Sequence, residues 1–85
     1  MEEESSFNHG VQPIDGLLAE LGLDNHALVN ASHEHLTHKQ VAKARKGRRL
    51  TRHMQEKVLR ALNAASGRTF GMAEAFNYHG SHVTR

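Results

Sequence analysis

The chain has 85 residues, 38% apolar and 24% charged, with one proline, no tryptophan and a formal net charge of +2. Domains run to roughly 100–150 residues and so short a chain buries only about 60% of its unfolded surface, which excludes a second domain and leaves little room for an enclosed substrate pocket. With no cysteine, disulfides, a thiolate zinc site and a cysteine nucleophile are excluded; no apolar run approaches the roughly 18 residues of a membrane span and the start, MEEESS, is acidic where a signal peptide is basic, so a soluble, cytoplasmic protein is expected, nucleoid-associated if bacterial.

Residues 1–12 are polar and acidic without apolar periodicity, which predicts a flexible N-terminal arm. Pro13 suits the first turn of a helix, Ile14, Leu17, Leu18 and Leu21 recur at helical spacing, and Gly22 marks a stop. Asp24 or Asn25 then caps a second short helix whose apolar side carries Ala27, Leu28 and Ala31, with Val29 beside them. Ser32, His33, Glu34 and His35 make a turn. Thr37 to Gln40 reads T-x-x-Q, a capping box that opens a third helix over 38–46, with Gly47 closing it in the left-handed conformation. Val41 and Ala44 point inward with Leu36 just before the cap, while Lys39, Lys43 and Lys46 form an outward stripe. Leu50 returns to the core, Thr51 caps a fourth helix, and Met54, Val58, Leu59, Ala61, Leu62 and Ala65 give that helix a full apolar stripe until Ser66-Gly67. The tail, 68–85, holds Phe70, Phe76 and Tyr78; a short helix over 72–76 lays them, with Met72, across the core or across a second subunit. The domain proper is thus expected over 13–67.

Charge is distributed unevenly along this chain. Residues 1–24 carry six acidic side chains and no lysine or arginine, whereas residues 37–60 carry nine lysines and arginines against Glu56 alone, a local charge of +8. Such asymmetry points to an anionic partner for the basic half. Cations at a helix C-terminus also stabilise the helix with no ligand present, which accounts for Arg45 and Lys46 but not for Arg48, Arg49 and Arg52 beyond its end.

The run from Leu36 to Thr51, LTHKQVAKARKGRRLT, resembles the recognition helix and following loop of the Cro and phage-repressor-like (lambda-repressor-like) helix-turn-helix DNA-binding family. A polar cap opens the helix, a buried aliphatic follows, and a glycine precedes a basic loop. The resemblance spans about residues 14–64 and is strongest over 36–62. It implies an all-α fold of four to five helices and sequence-specific binding of double-stranded DNA in transcriptional regulation. Helix 37–46 would enter the major groove. His38, Lys39 and Lys43 fall where that family reads bases, Gln40 could pair with adenine if it turned outward, and Thr37, Lys46, Arg48, Arg49 and Arg52 fall where it contacts phosphates. Single modules bury little surface, so a homodimer on half-sites about one helical turn apart is the expected assembly, with Phe70, Met72, Phe76 and Tyr78 as its surface unless they cover the monomer core. The alternative is an interaction module that docks an acidic protein, or RNA, through residues 39–52.

Catalytic arrangements are missing from the sequence: there is no G-x-S-x-G, no phosphate-binding loop and no H-E-x-x-H. Glu34 between His33 and His35 is the nearest approach to an acid–base cluster. His33, His35 and His38 offer imidazoles to zinc or nickel, yet they straddle a turn and a helix cap with no acidic partner beside them. The expectation is therefore a binding protein without enzyme activity, metal, cofactor or small-molecule ligand.

Overall fold

The computed structural model describes residues 9–78, which form five helices and no strand: α1 (Pro13–Leu21), α2 (Asn25–Ala31), α3 (His38–Lys46), α4 (Arg52–Ser66) and α5 (Met72–Ala75). The expected all-α architecture is observed. None of these helices is long and apolar enough to cross a membrane.

Local chemistry sets the boundaries. Asp24 caps α2, its Oδ1 accepting the Ala27 amide at 2.9 Å, and Thr51 caps α4 by accepting the Met54 amide at 3.1 Å. Both α1 and α4 end on glycines in the left-handed region, Gly22 and Gly67, a conformation that side-chain-bearing residues resist. Six residues, 32–37, separate α2 from α3, against the three or four of a helix-turn-helix turn. Within them the Ser32 hydroxyl both accepts the Glu34 amide and donates to the Glu34 carbonyl, each at 3.0 Å. Leu36 then drops into the core ahead of the α3 cap.

The longest helix, α4, is the floor of the core. Val58, Ala61 and Leu62 on α4 pack with Ile14 and Leu18 of α1, Leu28 of α2, Val41 and Ala44 of α3, and Leu36 and Leu50 from the connections. The buried register of α4 differs from the expected stripe in one position. Gln55 is fully buried, one helical step before Val58, while Met54, Leu59 and Ala65 are half-buried at its edges. The amide is tolerated there because its Nε2 donates to the Tyr78 carbonyl at 3.2 Å, and a hydrogen-bonded polar group can be buried without the desolvation penalty of an unpaired one.

Two expected boundaries are corrected. The arm expected over 1–12 does not include residues 9–12: the His9 amide donates to the Gly47 carbonyl at 2.7 Å, the Gln12 amide to the Arg45 carbonyl at 3.0 Å, and Gln12 is buried. Its Nε2 donates to the Gly10 carbonyl at 2.9 Å and its Oε1 accepts the Asn77 amide at 2.8 Å. A single buried amide thereby stitches the two ends of the described chain together. Residues 1–8 lie outside the described residues. Likewise the domain does not stop at 67, since Ala75 and Phe76 are buried and Phe70, Met72 and Tyr78 pack against the core. Phe76 thus lies in the monomer core, with Phe70, Met72 and Tyr78 half-buried against it. The remainder of the tail, 79–85, lies outside the described residues.

Gly47 sits at φ +86°, and a Cβ placed on it would stand 1.7 Å from the Gly10 carbonyl oxygen. Gly22 has a similar φ of +70° but open space around it. Gly22→Ala is expected to cost about 1–2 kcal/mol, the left-handed strain alone. Gly47→Ala is expected to cost about 2–5 kcal/mol, because displacing backbone adds an overpacking penalty. Urea denaturation of the two variants side by side checks the ordering.

Candidate nucleic-acid interface

Helix α3 forms because both of its ends are closed by its own sequence. The Thr37 hydroxyl accepts the Gln40 amide and the Gln40 Oε1 accepts the Thr37 amide, both at 3.1 Å, so the capping box read from the sequence is present in both directions. At the far end the Gly47 amide bonds the Ala44 carbonyl and the Arg48 amide reaches back to the Lys43 carbonyl at 3.0 Å. This five-residue reach is the Schellman closure, which turns the chain sharply and sets Arg48 beside the end of the helix.

The two faces of α3 are chemically opposed. Val41 and Ala44 are fully buried. Lys39, Lys43 and Lys46 are exposed, and at 3.6 residues per turn they fall within an arc of about 60° on the opposite side. Ala42, half-buried at the edge of that arc, adds little bulk beside it. Exposed Arg48 and Arg49 continue the positive surface past the turn, while Leu50 anchors their loop in the core. No carboxylate among the described residues pairs with Lys39, Lys43, Lys46 or Arg48.

The other cations of the basic segment have internal work. Arg45 Nε bonds Asp15 Oδ1 at 2.6 Å and its Nη1 bonds Asn25 Oδ1 at 2.8 Å, so it ties α3 to α1 and to the start of α2. Arg60 holds Glu34 with two parallel bonds of 2.7 and 2.8 Å, the bidentate geometry a guanidinium forms best. Lys57 donates to the His35 carbonyl. Arg52 stands 3.5 Å from Glu56, one turn along α4, which weakens its assignment to phosphate. The +8 of the sequence thus contains a smaller set of cations facing outward.

Two of the expected base-reading residues are placed differently. Gln40 is held in the capping box, which leaves its carbonyl oxygen occupied and its side chain half-buried. His38 is exposed but engaged: its Nε2 lies 3.2 Å from His26 Nδ1, and His26 Nε2 lies 3.2 Å from the Asn30 amide nitrogen. The rings are nearly parallel, at 14°, with centroids 5.4 Å apart, the separation of imidazoles bonded edge to edge rather than stacked face to face. His26 and Asn30 on α2 therefore orient the first residue of α3. The sequence carried no signal for them, because they are twelve and eight residues from His38 and meet it only when α2 packs beside α3. Thr37, as expected, stands at the helix cap, with its hydroxyl oxygen already accepting one amide. Among the described residues no group of three or more histidines or carboxylates could hold a metal ion; His38 pairs with His26 instead of gathering His33 and His35.

No protein family, no curated protein and no solved structure matches this chain.

The Glu34–Arg60 pair makes a titration prediction. The hydrogen bonds from Arg60 hold the Glu34 carboxyl below its ordinary range, with smaller help from the charges of Arg60, His53 and Lys57. A carboxyl with a lowered folded-state pKa contributes stability that is present above its unfolded pKa and lost as pH falls through the folded value. An NMR titration of the side-chain carboxyl is expected to place Glu34 below an ordinary glutamate, and Arg60→Ala to return it to the ordinary range.

Proposed function

We propose that this chain binds double-stranded DNA, with α3 lying in the major groove and the loop after Gly47 against the phosphate backbone, as a sequence-specific regulator of transcription. The observation that carries this reading is the sorting of cations on and after α3. Arg45 and Arg60, which could have served as general surface charge, are committed to carboxylates, whereas Lys39, Lys43, Lys46 and Arg48 stand on one exposed surface without a pairing carboxylate among the described residues. Like charges so gathered repel one another, and a polyanion relieves that repulsion.

Shape supports the same reading. The major groove, about 12 Å wide, admits one α-helix with a narrow outer face. Lys39 and Lys43, toward the N-terminal half of α3, are the candidates for donating to guanine O6 and N7, and His38, oriented by His26, is a third polar group at that end. Lys46, Arg48 and Arg49 are the candidates for phosphate, where they supply affinity and register without sequence information. The resemblance of residues 36–62 to the repressor-like family supports the assignment of roles, whereas the six-residue connection between α2 and α3 departs from that family's shorter turn.

Selection from a random duplex library at near-physiological salt tests the proposal. An enriched motif is the expected result, and a palindromic one would indicate a dimer on the DNA. Equal, weak binding to all sequences, together with a protein partner retained after nuclease treatment, would favour docking of an acidic protein on residues 39–52 instead. On the selected site Lys39→Ala or Lys43→Ala is expected to weaken binding by about 1–3 kcal/mol and relax base preference. With three phosphate contacts, the logarithm of affinity should fall with the logarithm of salt concentration at a slope of roughly −3. Arg45→Ala is expected to lower the melting temperature while leaving that slope unchanged.

A further inference from the structure

The loop that carries Arg48 and Arg49 belongs to no helix, so its backbone groups need partners from elsewhere. One side chain supplies two of them. The Tyr78 hydroxyl donates to the Arg48 carbonyl at 3.0 Å and accepts the Leu50 amide at 3.2 Å, and these two backbone groups bracket Arg49. The tyrosine is itself held on several sides. Its carbonyl accepts from the buried Gln55 at 3.2 Å, its ring meets Phe76 edge-on at 6.0 Å, and His9 stacks on its face with ring centres 4.0 Å apart and planes 9° from parallel. A phenol confined in this way points its hydroxyl in one direction.

We propose that Tyr78 is a positioning residue for the basic loop: its hydroxyl sets the backbone of residues 48–50 and so the direction in which Arg48 and Arg49 reach toward the phosphates of a duplex. This inference rests on the DNA-binding reading above. The physical gain is preorganisation, since a loop already ordered in the free protein does not lose its freedom on binding. Burial raises the pKa of the Tyr78 phenol above its ordinary value, so the hydroxyl remains a donor to Arg48 at neutral pH. Gln55 and Gln12 acquire a role through it, since both hold the segment that presents Tyr78: Gln55 through the Tyr78 carbonyl and Gln12 through the Asn77 amide.

The test is Tyr78→Phe in the full chain, which removes one hydroxyl and keeps the ring between His9 and Phe76. Expected results are a melting temperature lower by about 4–8 °C, with the variant still folded, and faster hydrogen exchange at the Leu50 amide. On the selected duplex, affinity should fall by about 3- to 10-fold with a salt slope shallower by roughly one unit, as one phosphate contact is lost. In an Arg48→Ala/Arg49→Ala background the added Tyr78→Phe should have little further effect, whereas with Lys43→Ala the two losses should add. Parent-like affinity and slope in Tyr78→Phe, with the parent still binding duplex, would overturn the positioning role alone. A parent that binds no duplex would overturn the DNA reading and this role with it.

Should Tyr78→Phe fail to fold, the chain offers a second route, because Tyr78 is its one tyrosine. Uniform incorporation of a fluorinated tyrosine acidifies that phenol alone. At a pH where the fluorinated phenol is ionised and the parent's is not, it can no longer donate to the Arg48 carbonyl. A loss of duplex affinity relative to the parent at the same pH supports the role, and equal affinity overturns it.

Discussion

The close approach of Gly47 to Gly10 is the constraint on which the arrangement of the proposed surface depends. At this point the end of α3, the start of the described chain and the basic loop pass within a backbone's width of one another, and the His9 amide bonds the Gly47 carbonyl at 2.7 Å. Only glycine satisfies both demands there, a positive φ and no side chain in the gap. Because α3 stops at that glycine and the chain turns at once, the Arg48 amide closes back on the Lys43 carbonyl at 3.0 Å and the basic loop starts at the end of the helix. The capping box at Thr37 fixes the other end, so α3 has a defined length and a defined face.

Around that junction the fold uses polar side chains where a larger domain would use more apolar area. A 70-residue unit has a thin core, and here buried Gln12 and Gln55, together with Tyr78, connect the two chain ends to α4 and to the loop after α3. Among the described residues no buried side-chain nitrogen or oxygen is left without a hydrogen-bond partner, the condition under which such a network adds rigidity. The same network makes the basic loop part of the folded body.

Charge is sorted by the same geometry. Arg45, Lys57 and Arg60 connect elements distant in sequence, and their partners, Asp15, the His35 carbonyl and Glu34, lie thirty, twenty-two and twenty-six residues away. What remains pointing outward on α3 is a compact lysine stripe that runs into Arg48. This separation turns a diffuse positive segment into a surface with direction, and it is the physical basis of the proposed DNA contact.

Helix α3 was legible to the residue, because its signals are local: the threonine and glutamine that close the capping box, the inward Val41 and Ala44, and the glycine stop all lie within eleven residues. The caps of α2 and α4, the core leucines at Leu28, Leu50 and Leu62, and the lysine stripe were legible for the same reason. What tertiary structure alone decided involves partners far apart in the chain. Gln12 lies in the segment expected as an acidic arm, Gln55 outside the apolar stripe expected for α4, and His38 on an outward reading face. Each is held instead by a neighbour brought from another element. A hydrogen bond needs a partner within about 3 Å, and for residues separated by twenty or more positions only the packed fold supplies it, whereas helical periodicity, caps and net charge are properties of the chain itself.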